Sequence, residues 1–83
     1  MATHKLLKLT IARVDAPVFD GDVVSVTLPG TEGEMTIMAD HEPLVSALKA
    51  GAITIRTATD QTIVHELESG TLEVRNNHAT VLI

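Results

Sequence analysis

Signals for a tight turn recur at intervals of about 8–12 residues along the chain, and only short runs rich in Val, Ile, Leu and Thr lie between them. Runs this short bury a face only as strands that pair with one another. Lys5 to Val14 is the first, with Leu7, Leu9 and Ile11 on one face and Lys8 and Thr10 opposite. Leu6 and Ala12 lie on that second face and imply that it is partly covered. Asp15-Ala16-Pro17 breaks the run. Val18-Phe19 is a short apolar pair before Asp20-Gly21-Asp22, which reads as a turn. Val23 to Leu28 alternates, with Val24, Val26 and Leu28 inward and Ser25 and Thr27 outward. Further on, Ala52 to Ala58 places Ile53 and Ile55 on one face, and Thr59-Asp60-Gln61 turns the chain. Thr62 to Glu68 is predicted to pair back, with Ile63, His65 and Leu67 opposite Val64, Glu66 and Glu68. Ser69-Gly70 reads as a two-residue turn. Thr71 to Arg75 sends Leu72 and Val74 inward, and Asn76-Asn77 suits a type I′ hairpin, since asparagine tolerates positive φ. His78 to Ile83 is the last run. The pattern predicts an all-β fold, a small antiparallel β-sandwich of about 8–10 short strands, formed by residues 1–83 as a single domain.

Leu28 to Gly51 differs from its surroundings. It holds two of the three prolines, and four acids against one base. Pro29-Gly30 fits the two central positions of a type II turn, with Gly33 as a second permissive point. Glu34 to Ala39 alternates, with Met35, Ile37 and Ala39 on one side and Glu34, Thr36 and Met38 on the other. Asp40-His41-Glu42 stops the run, and Pro43 requires Glu42 to be extended. Leu44 to Ala50 fits two readings. Leu44, Ala47 and Leu48 have helical spacing with Pro43 at the first helical position, and Leu44, Ser46 and Leu48 alternate equally well. Gly51 closes the stretch.

Composition removes several function classes. Phe19 is the sole aromatic residue, so the core is aliphatic. The net charge is −5, and three of the six basic residues (Lys5, Lys8 and Arg13) lie in the first run. A nucleic-acid surface needs a dense basic patch, and single-strand readers add stacking aromatics, so no nucleic-acid partner is expected. The same lack of aromatics argues against a carbohydrate platform. Without cysteine there is no disulfide framework and no thiolate chemistry. No apolar run approaches the roughly 18 residues of a membrane span, and the N-terminus lacks the uninterrupted apolar core of a signal peptide. Membrane association is therefore expected only through a partner.

The candidate site is the acid-rich centre. Asp40-His41-Glu42 has the residue types of a metal or acid–base cluster. Consecutive residues on an extended chain point to alternate sides, so the three do not converge on one ion. Pro29-Gly30-Thr31-Glu32-Gly33 lacks the Lys-Ser/Thr and following helix of a phosphate loop. No Ser-His-Asp or Cys-His arrangement is present, and no catalytic, cofactor-binding or metal-binding residue is assigned. Met35 and Met38 read as core fillers on alternate faces, with one of them available to a subunit contact. His65 reads as a half-buried histidine between Ile63 and Leu67. His4 and His78 carry no signal. Glu32, Glu34, Asp40 and Glu42 fall within eleven residues with no base among them. Such a patch attracts a basic partner surface and sets its register. The simpler alternative is a solvated acidic loop.

These motifs resemble the epsilon subunit of the F-type ATP synthase. Gly30, Gly33 and Ile37, followed by His41, Pro43, Leu44, Leu48 and Gly51, match the family's central pattern after Pro29. Val18 to Leu28 is similar to its strand-turn-strand opening, and Gly70-Thr71-Leu72-Glu73-Val74 is similar to a later strand. Thr36 stands where the family usually has glycine, and Ala39 where it usually has proline. The resemblance favours an extended path for Leu44 to Ala50. It implies a non-catalytic central-stalk rotor subunit of a proton-translocating ATP synthase, held between the gamma subunit and the membrane c-ring. It places such a subunit at the cytoplasmic face of a bacterial inner membrane, as a peripheral component without cofactors. Family members usually continue into two C-terminal helices, and the sandwich is expected to end near Ile83. The c-ring contact implied by the resemblance falls on the loops bearing Glu34 and His41, and extends to Glu32, Asp40 and Glu42. Pro29, Gly30, Gly33, Pro43, Gly51 and Gly70 are its structural turn residues. A stand-alone β-sandwich protein-binding module is the alternative.

Overall fold

The computed structural model describes residues 5–83, and His4 lies outside them. Eight strands follow one another: β1 (Leu7–Ala12), β2 (Pro17–Gly30), β3 (Gly33–Met38), β4 (Leu44–Leu48), β5 (Gly51–Thr57), β6 (Thr62–Leu67), β7 (Gly70–Arg75) and β8 (His78–Leu82). One group pairs in the order β3–β2–β5–β6 and another in the order β4–β7–β8–β1. The first half of β2 also pairs with β1, and Gly30 pairs with Leu48 of β4, so the two groups join at both ends. Every pairing is antiparallel except β1 with β8, which run parallel.

The inward faces of both groups meet in one core. Leu7, Leu9 and Ile11 of β1, Val26 and Leu28 of β2, Ile53 and Ile55 of β5, Leu72 and Val74 of β7 and Val81 of β8 are at most 1% exposed. The core is aliphatic, and no polar or charged residue is buried within the described part. Interdigitated branched side chains at interior density make such a slab stiff.

Three turn assignments are corrected. Asp20-Gly21-Asp22 lies inside β2, where the three residues pair with Thr10, Leu9 and Lys8 of β1. The pairing with β1 keeps the segment extended, and the Phe19 ring packs beside Gly21, 3.6 Å from where a Cβ would sit, an ordinary packing distance. Pro29-Gly30 ends β2 and is not the turn. Thr31-Glu32 is the two-residue loop, closed by the Gly30–Gly33 pair. Gly33 supplies the positive φ of 136° that the connection needs. Ser69-Gly70 does not join a hairpin, since β6 pairs only with β5 and β7 pairs with β4 and β8. The bend at Glu68-Ser69 carries the chain from one group of strands to the other, and Gly70 begins β7.

Other readings match the structure. Leu44 to Leu48 is extended and pairs with β7 from end to end. Asn76 and Asn77 have φ of 51° and 59° and join β7 to β8 as a two-residue hairpin. Val23 and Val24 are both buried because the register against β5 slips between Val23 and Ser25, which is a β-bulge.

Candidate functional site

The acidic residues sit at the two ends of β3. Glu32 is in the loop leading into that strand and Glu34 is its second residue, and both are exposed. Asp40, His41 and Glu42 follow its far end. Glu34 and Met38 are separated by about 13 Å of extended chain before that second loop begins. The four acids, one patch by sequence spacing, are divided by the structure into two.

The hairpin end is held by backbone. The Thr31 N–H donates to the Ala47 carbonyl at 3.0 Å and the Lys49 N–H to the Pro29 carbonyl at 2.9 Å. These bonds fasten the tip to the end of β4. A Cβ on Gly30 would stand 2.7 Å from the Gly33 carbonyl oxygen, and one on Gly51 would stand 3.1 Å from the Pro29 ring. The glycines and Pro29 therefore serve close backbone approach at this end of the sandwich. Thr27 and Thr36 bridge β2 and β3 through a hydroxyl pair at 3.0 Å. Met35 lies half-buried against the core, and Met38 on the opposite face is 52% exposed.

The second loop is held by side chains. Asp40 has φ of 62°, a left-handed conformation that a short polar side chain accepts. The expected extended path through Asp40-His41-Glu42 is therefore corrected: the chain turns at Asp40. The Asp40 N–H donates to Asn77 Oδ1 at 2.9 Å, and its carboxylate pairs with Lys5 Nζ at 2.6 Å. The His41 N–H donates to the Met38 carbonyl at 3.3 Å. His41 Nδ1 lies 2.7 Å from the Glu42 carbonyl, which only accepts, so Nδ1 carries the proton. Pro43 lies in the connection that leads into β4. No group of three His, Asp or Glu residues that could hold a metal occurs among the described residues. Within them, Glu32, Glu34 and Glu42 have no ion-pair partner, so their charge is open to solvent.

Sequence reasoning missed two features. His78 Nε2 lies 3.0 Å from Thr10 Oγ1, which donates to Asp20 Oδ1 at 3.3 Å. The hydroxyl has one proton and the carboxylate takes it, so Nε2 must donate. This polar line crosses β8, β1 and β2. Pairing β1 with β8 required the register of strands far apart in sequence. Asn77 was legible as a turn residue, but not as a partner of Asp40. A shallow groove between Arg13, Gly51, Leu67, Glu68 and Ile83 contains none of the five predicted contact residues. No helix among the described residues is long and apolar enough to cross a membrane.

A two-layered aliphatic sandwich with acids at both ends of one outer strand is a small all-β domain. Its chain belongs to the family described as the ATP synthase delta/epsilon chain beta-sandwich domain, whose model matches residues 6–83. It is 37% identical over 79 residues to the ATP synthase epsilon chain of Sulfurovum sp., an alignment covering 95% of this chain and 62% of that one. It is 41% identical over 70 residues to the epsilon chain of Wolinella succinogenes, covering 84% and 53% of the two chains. The chain thus spans little more than half the length of these relatives. Its fold superimposes with a TM-score of 0.88 on a chain of the Euglena gracilis mitochondrial ATP synthase, OSCP/F1/c-ring assembly. That match has 23% sequence identity and covers 93% of this chain and 49% of the other.

Proposed function

We propose that this domain is a non-catalytic rotor part of the central stalk of a proton-translocating ATP synthase. It docks the gamma subunit to the membrane c-ring, so that ring rotation reaches the catalytic head. The observation that carries this reading is the family match across residues 6–83. The sandwich suits the task, because a coupling part needs stiffness and complementary surfaces. The two loops flanking β3 meet the c-ring. Glu32 and Glu34 at one end, and Asp40, His41 and Glu42 at the other, present acids to the basic polar loops of the ring. Gamma occupies another surface of the sandwich. The domain is peripheral, held at the cytoplasmic face of a bacterial inner membrane by these partners. It binds no cofactor, and ATP chemistry belongs to other subunits.

The test is binding to a purified gamma–c-ring rotor. The wild-type domain should form a complex that weakens as salt rises, because rim charges act through screened attraction. Glu34→Lys should weaken docking about tenfold, equivalent to about 1.4 kcal/mol, with the fold intact. A wild-type domain that forms no complex with either partner would instead be a stand-alone binding module. Unchanged affinity of a folded Glu34→Lys variant would remove the hairpin from the contact.

A further inference from the structure

We propose that Asn77 is the positioning residue for the Asp40–Glu42 loop, fixing that loop relative to the body of the sandwich. The docking consequence rests on the function proposed above, but the clamp does not. Asn77 joins three segments far apart in sequence. Its Oδ1 accepts the Asp40 N–H at 2.9 Å across 37 residues. Its Nδ2 donates to the Leu6 carbonyl at 2.9 Å across 71 residues. Its own carbonyl accepts the Lys8 N–H at 3.2 Å. The amide orientation is forced, because one partner is a main-chain donor and the other a main-chain acceptor.

The position makes two demands at once. The hairpin needs a residue that accepts φ of 59°. The clamp needs a short side chain with one donor and one acceptor. Glycine meets only the first demand, and aspartate keeps the acceptor but loses the donor. Asparagine meets both. The loop it holds has few other restraints: the His41 N–H to Met38 bond, the His41 Nδ1 bond to the Glu42 carbonyl within the loop itself, and the exposed Lys5–Asp40 ion pair. A surface pair of that kind restrains little by itself. The clamp thus orients the Asp40-His41-Glu42 loop with respect to β1 and the β7–β8 hairpin.

Asn77→Gly tests this, because it keeps the backbone conformation and deletes both side-chain bonds. Amide exchange at Asp40, followed by NMR in the whole chain, should quicken about tenfold while the core strands keep their protection. Asn77→Asp keeps the acceptor for the Asp40 N–H but sets a second carboxylate oxygen against the Leu6 carbonyl, so its Asp40 protection should fall between those of the wild type and Asn77→Gly. In the rotor-binding measurement, Asn77→Gly should lose several-fold in affinity. Unchanged Asp40 exchange in a folded Asn77→Gly variant would overturn the clamp. Loosened Asp40 with full rotor affinity would overturn its role in docking. A wild-type chain that fails to bind the rotor would sink the proposed function and its docking consequence, and leave the clamp to be decided by exchange.

Discussion

A Cβ placed on Gly70 would stand 2.6 Å from the carbonyl oxygen of Leu82 and 2.9 Å from Cγ2 of Ile83. The first strand residue after the crossing between layers therefore lies directly against the backbone of β8. The oxygen belongs to a paired strand, so it cannot swing away as a side chain would. Gly70→Ala should destabilise the domain by about 1–3 kcal/mol through overpacking. In a domain of this size each kcal/mol lowers Tm by about 4–8 °C. Thermal and urea unfolding should both register the loss, with the urea slope unchanged.

Ile55 and Val64 lie on neighbouring paired strands but on opposite faces. Ile55 is fully buried, and Val64 is 56% exposed. Ile55→Ala should cost about 2–5 kcal/mol, combining lost transfer energy with a cavity. Val64→Ala should stay within about 0.5 kcal/mol. Urea midpoints of the two variants would compare the faces directly, and equal losses would contradict the assigned sidedness of the sheet.

Alternation revealed which residues face inward, because side-chain direction has a period of two whatever partner the strand takes. Leu7, Leu9 and Ile11, like Leu72 and Val74, were legible for that reason. Turns were less so, since local turn preference competes with pairing at a distance. Asp20-Gly21-Asp22 is a strong turn signal in isolation, but β1 pairs with all three residues and Phe19 covers the glycine. Pro29-Gly30 offered turn geometry, but Gly30 is required for close approach to Gly33 and the turn falls two residues later, at Thr31-Glu32. The parallel β1–β8 pair joins segments about seventy residues apart and leaves no local trace. At the candidate site, the acids were visible by composition. Their division between two ends of β3 depends on strand length and on the left-handed backbone at Asp40. The partner of the Asp40 N–H came from a hairpin whose sequence announced only its turn.

Asn76 precedes Asn77 in the β7–β8 connection with φ of 51°, and none of the side-chain hydrogen bonds found in the described residues uses it. Its requirement is conformational. Asn76→Gly should leave stability within a few tenths of a kcal/mol, because glycine accepts the left-handed region freely. Asn76→Val should cost about 1–2 kcal/mol, the penalty for a β-substituted residue in that region. Chemical denaturation of both variants measures the difference. A tolerated valine would contradict the type I′ geometry.

Asp40 combines an ion pair with an unusual backbone, and the two make separable predictions. The Lys5 and Asp40 side chains are 70% and 57% exposed, so solvent screens their attraction and ordering both ends offsets much of the gain. Lys5→Ala should therefore change stability by less than about 1 kcal/mol, and raising salt to about 1 M should erase that difference. The backbone is the stronger constraint. At φ of 62°, Asp40→Val should cost about 1–3 kcal/mol, whereas Asp40→Gly keeps the conformation and the N–H bond to Asn77. Unfolding of the three variants at low and high salt separates the effects. If Lys5→Ala proved as damaging as Asp40→Val, charge rather than backbone conformation would be what holds the loop.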